Sequence, residues 1–176
     1  MSDEIKKLKI LDWYSHYGDS IFNFIAMMTK DYHKAEDLTQ ETFLKAFIYL
    51  DGFKANSSAK TWLFSIARNV TIDYLRKQKR RNILLHILPH SEKKELLTEQ
   101  IVEINEEFQE LYRAIHRLKD SYREVIILRK IKEFSIVETS EILGWSESKV
   151  KNTLSRALRV LEKELIKEGF TYEKLS

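Results

Sequence analysis

Apolar residues return every third or fourth position along most of this sequence, and that period commits the chain to helices packed on helices. In the stretch that begins at Ala59, Trp62, Leu63, Ile66, Ala67, Val70, Ile72 and Leu75 fall on one side of a helix. Upstream, Leu8, Leu11, Tyr14, Ile21, Phe22, Phe24 and Ile25 repeat the pattern, with a break predicted near Gly18. Ala35, Leu38, Phe43, Ala46, Phe47 and Leu50 continue it behind a capping Asp31 and stop at Asp51-Gly52. Asn56-Ser57-Ser58 then make a polar loop. Residues that turn a chain are scarce: 4 Gly and 1 Pro in 176 residues, where average usage gives roughly 12 and 9. Sheets need such residues at their turns, so the fold class is all-α.

Charge divides the helices into modules. Residues 60–81 carry Lys60, Arg68, Arg76, Lys77, Lys79, Arg80 and Arg81 against one acid, Asp73. Residues 92–110 reverse this, with Glu92, Glu95, Glu99, Glu103, Glu106, Glu107 and Glu110 against Lys93 and Lys94. From Tyr112 the chain turns basic again. The expectation is two small helical domains, residues 1–81 and 106–176, joined by a flexible acidic linker, residues 82–105, that holds Pro89.

Several chemistries drop out. With no cysteine there is no disulfide, thiolate zinc site or cysteine nucleophile. His33 with Glu36 and Asp37 lacks a further ligand to close a metal site, and His86 and His90 read as connector residues. No catalytic residue, cofactor or metal is expected. The apolar stretch from Ile21 to Met28 falls short of the roughly 20 residues that span a bilayer. Ser2-Asp3-Glu4 is unlike a signal peptide, so the expectation is a cytoplasmic chain. The net charge of +3 says little about partners.

The C-terminal module reads as helices over about residues 106–118, from Ser121, from near Ser135, and from Ser146. Glu124 is placed to complete a capping box with Ser121, and Val125, Ile126, Leu128 and Ile131 are the expected buried side. Ile136, Thr139 and Ile142 share a face, and Leu143-Gly144-Trp145 ends that helix. A short helix, a glycine free to turn left-handed, and a serine-capped helix make the helix-turn-helix pattern. Leu154, Leu158 and Leu161 must face inward. That leaves Lys149, Lys151, Asn152, Ser155, Arg156 and Arg159 outward, where Arg and Lys can donate to guanine and Asn can pair with adenine. The free N–H groups from Ser146 through Ser148 to Lys149 suit a phosphate. A solvated basic helix face fits the same pattern, and Trp145 reads as a core plug. The basic run of residues 76–81 suits a phosphate backbone or simply complements a helix end. Trp62 suits the core better than a wedge against a base.

Three segments resemble a known family. AEDLTQETFLKAF, residues 35–47, looks like the segment by which sigma factors dock on the coiled coil of the RNA polymerase largest subunit. KTWLFSIARNVTIDYLRK, residues 60–77, resembles the helix that reads and melts the promoter −10 element. Residues 118–165 resemble the −35 reader. Their order and separation are similar to the extracytoplasmic-function group of the sigma-70 family, and within it to sigma-X-like members of Gram-positive bacilli. The resemblance implies docking on core RNA polymerase through Asp37, Gln40, Glu41 and Phe43, with Phe43 or Phe47 as the apolar anchor. It implies that the loop before Trp62 receives a flipped −10 base, with Asn56, Ser57, Ser58 and Lys60 as polar partners. Arg68, Asn69, Asp73, Arg76 and Lys77 would line that strand, and the outward residues of the last helix would read −35. It further implies an anti-sigma partner, membrane-anchored in the expectation, a chain monomeric when free, and an acidic linker that sits in a basic channel. That linker equally suits a solvated tether.

One departure stands out. Housekeeping sigma factors place two adjacent tryptophans at the melting position, and this chain has Trp62-Leu63. Weaker melting implies high promoter stringency. Rival readings are a dimeric helix-turn-helix regulator, a small metal-dependent nuclease using acids near Asp37, and a helical adaptor. The first has no use for residues 35–47 and the second lacks a convergent ligand set.

Overall fold

The computed structural model describes residues 2–87 and 106–167. In chain order these form α1 (Asp3–Thr29), α2 (Tyr32–Tyr49), a 3-10 turn (Leu50–Gly52), α3 (Ala59–Ile87), α4 (Glu106–Arg117), α5 (Asp120–Ile126), a π-helical turn (Ile127–Ile131), α6 (Ile136–Leu143) and α7 (Glu147–Lys167). No strand occurs among the described residues. The chain divides into two compact units, one built on α1 to α3 and the other holding α4, α5 and α7. Most of the predicted linker, with Pro89 and His90, lies outside the described residues, but α3 runs on to Ile87, past the boundary expected at residue 81. No described helix is long and apolar enough to cross a membrane.

In the N-terminal unit α1 starts on Ser2, whose hydroxyl accepts from the Ile5 N–H at 3.4 Å, with Asp3 and Glu4 in the first turn, where the helix dipole favours acids. The break expected at Gly18 is absent. One glycine inside a helix costs only about 1 kcal/mol, and Gly18 is buried where the tertiary packing of a 27-residue helix outweighs that cost. The helix ends instead at Lys30, a non-glycine at φ 59° whose N–H bonds the Ala26 carbonyl at 2.9 Å. Asp31 caps α2 as predicted, accepting from the Lys34 N–H at 3.0 Å.

The buried stripe of α1 runs through Trp13, Ile21, Phe24, Ile25 and Met28. Leu8 and Leu11, expected in that stripe, are 65 % and 55 % exposed, and Tyr14 is exposed too. Trp13, 8 % exposed, is the inward residue of that stretch and packs edge-on against Phe53 and Trp62. Ala35, Leu38 and Ala46 of α2 and Leu63, Phe64, Ala67 and Val70 of α3 complete the core. Thr71 is buried where the pattern favoured Ile72, and its hydroxyl donates to the Ala67 carbonyl at 2.7 Å. Thr39 and Thr42 do the same on α2, so these hydroxyls enter the core already bonded.

The C-terminal unit relies on backbone devices. The capping box expected at Ser121 and Glu124 does not form. α5 starts at Asp120 on Lys119, which gives no side-chain cap, and Glu124 is 2 % exposed. The box forms one helix later, where Ser135 accepts from the Glu138 N–H at 3.1 Å and Glu138 accepts from the Ser135 N–H at 2.8 Å. Arg123, also buried, donates to the His116 and Leu118 carbonyls at 2.9 and 3.0 Å. It thereby caps the end of α4, which reaches Arg117. Burial pulls its guanidinium below the ordinary value, while Asp120 opposes the shift. The chain leaves α5 by a π-helical turn closed by Lys132 N–H to Ile127 O at 2.8 Å. That extra residue per turn rotates Ile131 out of the face it was expected to share with Leu128, so it is 38 % exposed. Both α4 and α5 pack on α7.

Candidate functional site

The turn between α6 and α7 is fixed by backbone. Gly144 sits at φ 65°, and no atom lies within 4 Å of where its Cβ would be. The left-handed conformation, not crowding, therefore calls for glycine. The Trp145 N–H bonds the Ser140 carbonyl at 3.0 Å, which closes α6. Ser146 then caps α7, accepting from the Lys149 N–H at 3.2 Å.

Val150, Ala157 and Leu161 bury the inner side of α7, with Leu154 and Leu158 half-buried beside them. Ser146, Ser148, Lys149, Lys151, Asn152, Ser155, Arg156 and Arg159 are all exposed. The face offers cations and one amide on a rigid helix, a combination that can meet phosphates and base edges of a duplex groove. Trp145, expected as a core plug, is half-buried, and the Lys149 ammonium lies 4.3 Å from its ring centroid. The ring serves as a platform for a cation of the basic face.

The second surface is the loop between the 3-10 turn and α3. Asn56 and Ser58 are exposed and Ser57 is half-buried. Ala55 holds φ 52°, a conformation side chains disfavour. Ser58 spends its hydroxyl on the α3 cap, accepting from the Thr61 N–H at 3.1 Å. Trp62 is half-buried, which fits neither a pure core residue nor a free wedge. Along α3, Lys60 and Arg68 are half-buried, and Asn69, Asp73, Arg76 and Lys77 are exposed. Asn69, Asp73 and Arg76 fall on one line of the helix, and Arg76 approaches Asp73 at 4.0 Å.

The third surface is on α2. Asp37, Gln40 and Glu41 are exposed. Asp37 lies 3.5 Å from Lys34 and Glu41 lies 3.2 Å from Lys45. Phe43, expected beside them as an anchor, is 6 % exposed and packs edge-on against Tyr14 at 4.9 Å. Its ring belongs to the module's own core, and Phe47 is half-buried. The apolar groups that continue the acidic line are Leu44 and Ile48, 60 % and 57 % exposed. Positions 37, 41, 44 and 48 follow helical spacing and so share one exposed line of α2. His33 and Glu36 are exposed, and no three metal-binding side chains gather among the described residues.

Comparison with known proteins gives a consistent result. Residues 13–81 match the Sigma-70 region 2 family and residues 108–161 the Sigma-70, region 4 family. The chain is 40 % identical over 162 residues to the ECF RNA polymerase sigma factor SigX of Bacillus subtilis (strain 168), covering 88 % of this chain and 84 % of that protein. It is 38 % identical over 151 residues to the ECF RNA polymerase sigma factor SigM of the same organism, covering 85 % and 90 %. Among solved structures it is similar to the sigma factor RpoE in complex with the anti-sigma factor NepR from Bartonella quintana. The TM-score is 0.71 and the identity 28 %, over 88 % of this chain and 96 % of that one.

Proposed function

The chain belongs to the extracytoplasmic-function group of the sigma-70 family, and from that premise we propose how its surfaces divide the work of an alternative sigma factor. It binds core RNA polymerase and directs promoter-specific initiation, and the polymerase performs the chemistry. Residues 1–81 dock and read the −10 element, and residues 106–176 read the −35 element.

Docking uses Asp37, Gln40 and Glu41, whose charge suits Arg and Lys on a partner helix. Leu44 and Ile48, not Phe43, supply the apolar contact. The −10 strand meets the loop at Asn56, Ser57 and Ser58, flanked by Lys60 and Trp62, and passes along Arg68, Asn69, Asp73, Arg76 and Lys77. Extruding a base costs a few kcal/mol, which the loop's contacts must offset. The −35 duplex meets α7 through Ser146, Ser148, Lys149, Lys151, Asn152, Ser155, Arg156 and Arg159. The chain works in the cytoplasm, monomeric when free, and an anti-sigma protein, anchored in the membrane, holds it inactive.

The observation that carries this reading is the capped turn at Gly144 followed by the exposed basic face of α7. The test separates the two modules. Fluorescence anisotropy with labelled core polymerase should show Glu41→Arg binding about tenfold more weakly. Arg156→Glu should bind core normally and lose activity only on promoters that depend on −35. Normal core binding by both variants, with unchanged −35 dependence, contradicts the assignment.

A further inference from the structure

Three rings from separate segments meet beneath the loop of residues 53–58. Trp13 of α1 lies edge-on to Phe53 with centroids 5.5 Å apart and to Trp62 at 5.9 Å. Phe53 and Trp62 lie 5.0 Å from each other. The Lys9 ammonium sits 5.1 Å from the Trp13 ring and 5.7 Å from the Phe53 ring. Phe53 is the first residue of the loop and Trp62 lies in the first turn of the helix that follows it, so the rings close the loop at its base. Trp13 is 8 % exposed and belongs to the continuous helix α1. Two residues before Phe53 in the chain, Asp51 pairs with Lys6 of α1.

A six-residue loop with a strained Ala55 does not hold one shape unaided. Edge-to-face ring pairs contribute specific geometry beyond burial. We propose that Trp13 is a positioning residue for the base-reading loop: by clasping Phe53 and Trp62 it fixes the distance and angle between the loop's two ends. It thereby sets how selectively Asn56 and Ser57 accept a base. The proposal rests on the −10 reading of that loop. It assigns a specificity role to a residue of α1 that touches no nucleotide.

The test uses full-length chain reconstituted with core polymerase on promoters carrying one abasic site at successive positions of the non-template −10 strand. With the unsubstituted chain, one position should cost about tenfold in initiation. Trp13→Leu should flatten that profile to about twofold or less while leaving core affinity unchanged. Trp13→Phe, which keeps a ring edge against Phe53 and Trp62, should restore the profile. Thermal unfolding of each variant identifies any that fail to fold. Should Trp13→Leu misfold, Phe53→Leu provides the same measurement from the other ring. A folded variant that initiates less on every template, with the position-dependent dip intact, overturns the clasp and spares the loop. No dip in the unsubstituted chain, with no change on Asn56→Ala or Ser57→Ala, overturns the −10 reading itself.

Discussion

The two units of this chain solve one problem, presenting a polar surface to nucleic acid, by opposite means. The N-terminal unit stacks long helices on an aromatic core, and the surface proposed to read −10 is a loop held at both ends by rings. The C-terminal unit sets three shorter helices, closed by backbone and side-chain caps, ahead of the 21-residue α7, whose outer face it presents. A flipped base needs a pocket, which a loop provides. A duplex groove needs a convex rod, which α7 provides. Helices are capped in both units, but ring packing at the loop marks the first, and the buried Arg123 cap on α4 marks the second.

If that contrast is right, breaking a cap should damage the C-terminal unit most. Arg123→Met leaves the end of α4 without its buried cap, an expected loss of about 3 kcal/mol. Hydrogen exchange should accelerate in α4 and α5 and stay slow in α1 to α3. Arg156→Glu alters only the presented face. Stability should hold, while −35-dependent initiation falls about tenfold or more in a run-off assay.

A milder test of the same contrast is Ser135→Ala, which removes half of the α6 capping box. It should lower stability by about 1 kcal/mol, read as a shift of the denaturation midpoint. In the N-terminal unit the corresponding polar link is Lys6 to Asp51. The hydrogen bond from Lys6 holds the Asp51 carboxyl below its ordinary value, so the unfolded chain binds its proton first as pH falls. The contribution is complete above the ordinary carboxylate range and is lost as pH drops through the lowered value. Lys6→Met should flatten the acid limb of the unit's stability profile, measured by thermal melts between about pH 3 and pH 6. The effect is the smallest of the four, because the Asp51 carboxylate is exposed and water screens the pair.

The same contrast explains what sequence could convey. Helical period and cap chemistry were legible at Asp31, Gly144 and Ser146, since each acts within a few residues of itself. The rotation of α1 was not, because Leu8 and Leu11 continue an apolar pattern that only Trp13, packed against Phe53 and Trp62, overrules. Ser121 and Glu124 match a capping box as well as Ser135 and Glu138 do. Burial of Glu124 beside Arg123 decides between them, and burial is a tertiary fact. On α2 the exposure of Asp37, Gln40 and Glu41, the polar residues proposed for docking, followed from the helical period. Whether Phe43 or Leu44 stood beside them depended on Tyr14, a residue on another helix. The basic face of α7 needed no such partner, which is why its outward residues were legible in full.

The most direct test is run-off transcription by core polymerase reconstituted with this chain, on a promoter identified from genomic fragments and then altered in either element. New start sites should appear only when the chain is added, and scrambling −10 or −35 alone should each reduce initiation about tenfold or more. Core polymerase that starts nowhere new in its presence, or starts equally well with either element scrambled, contradicts a two-surface reader.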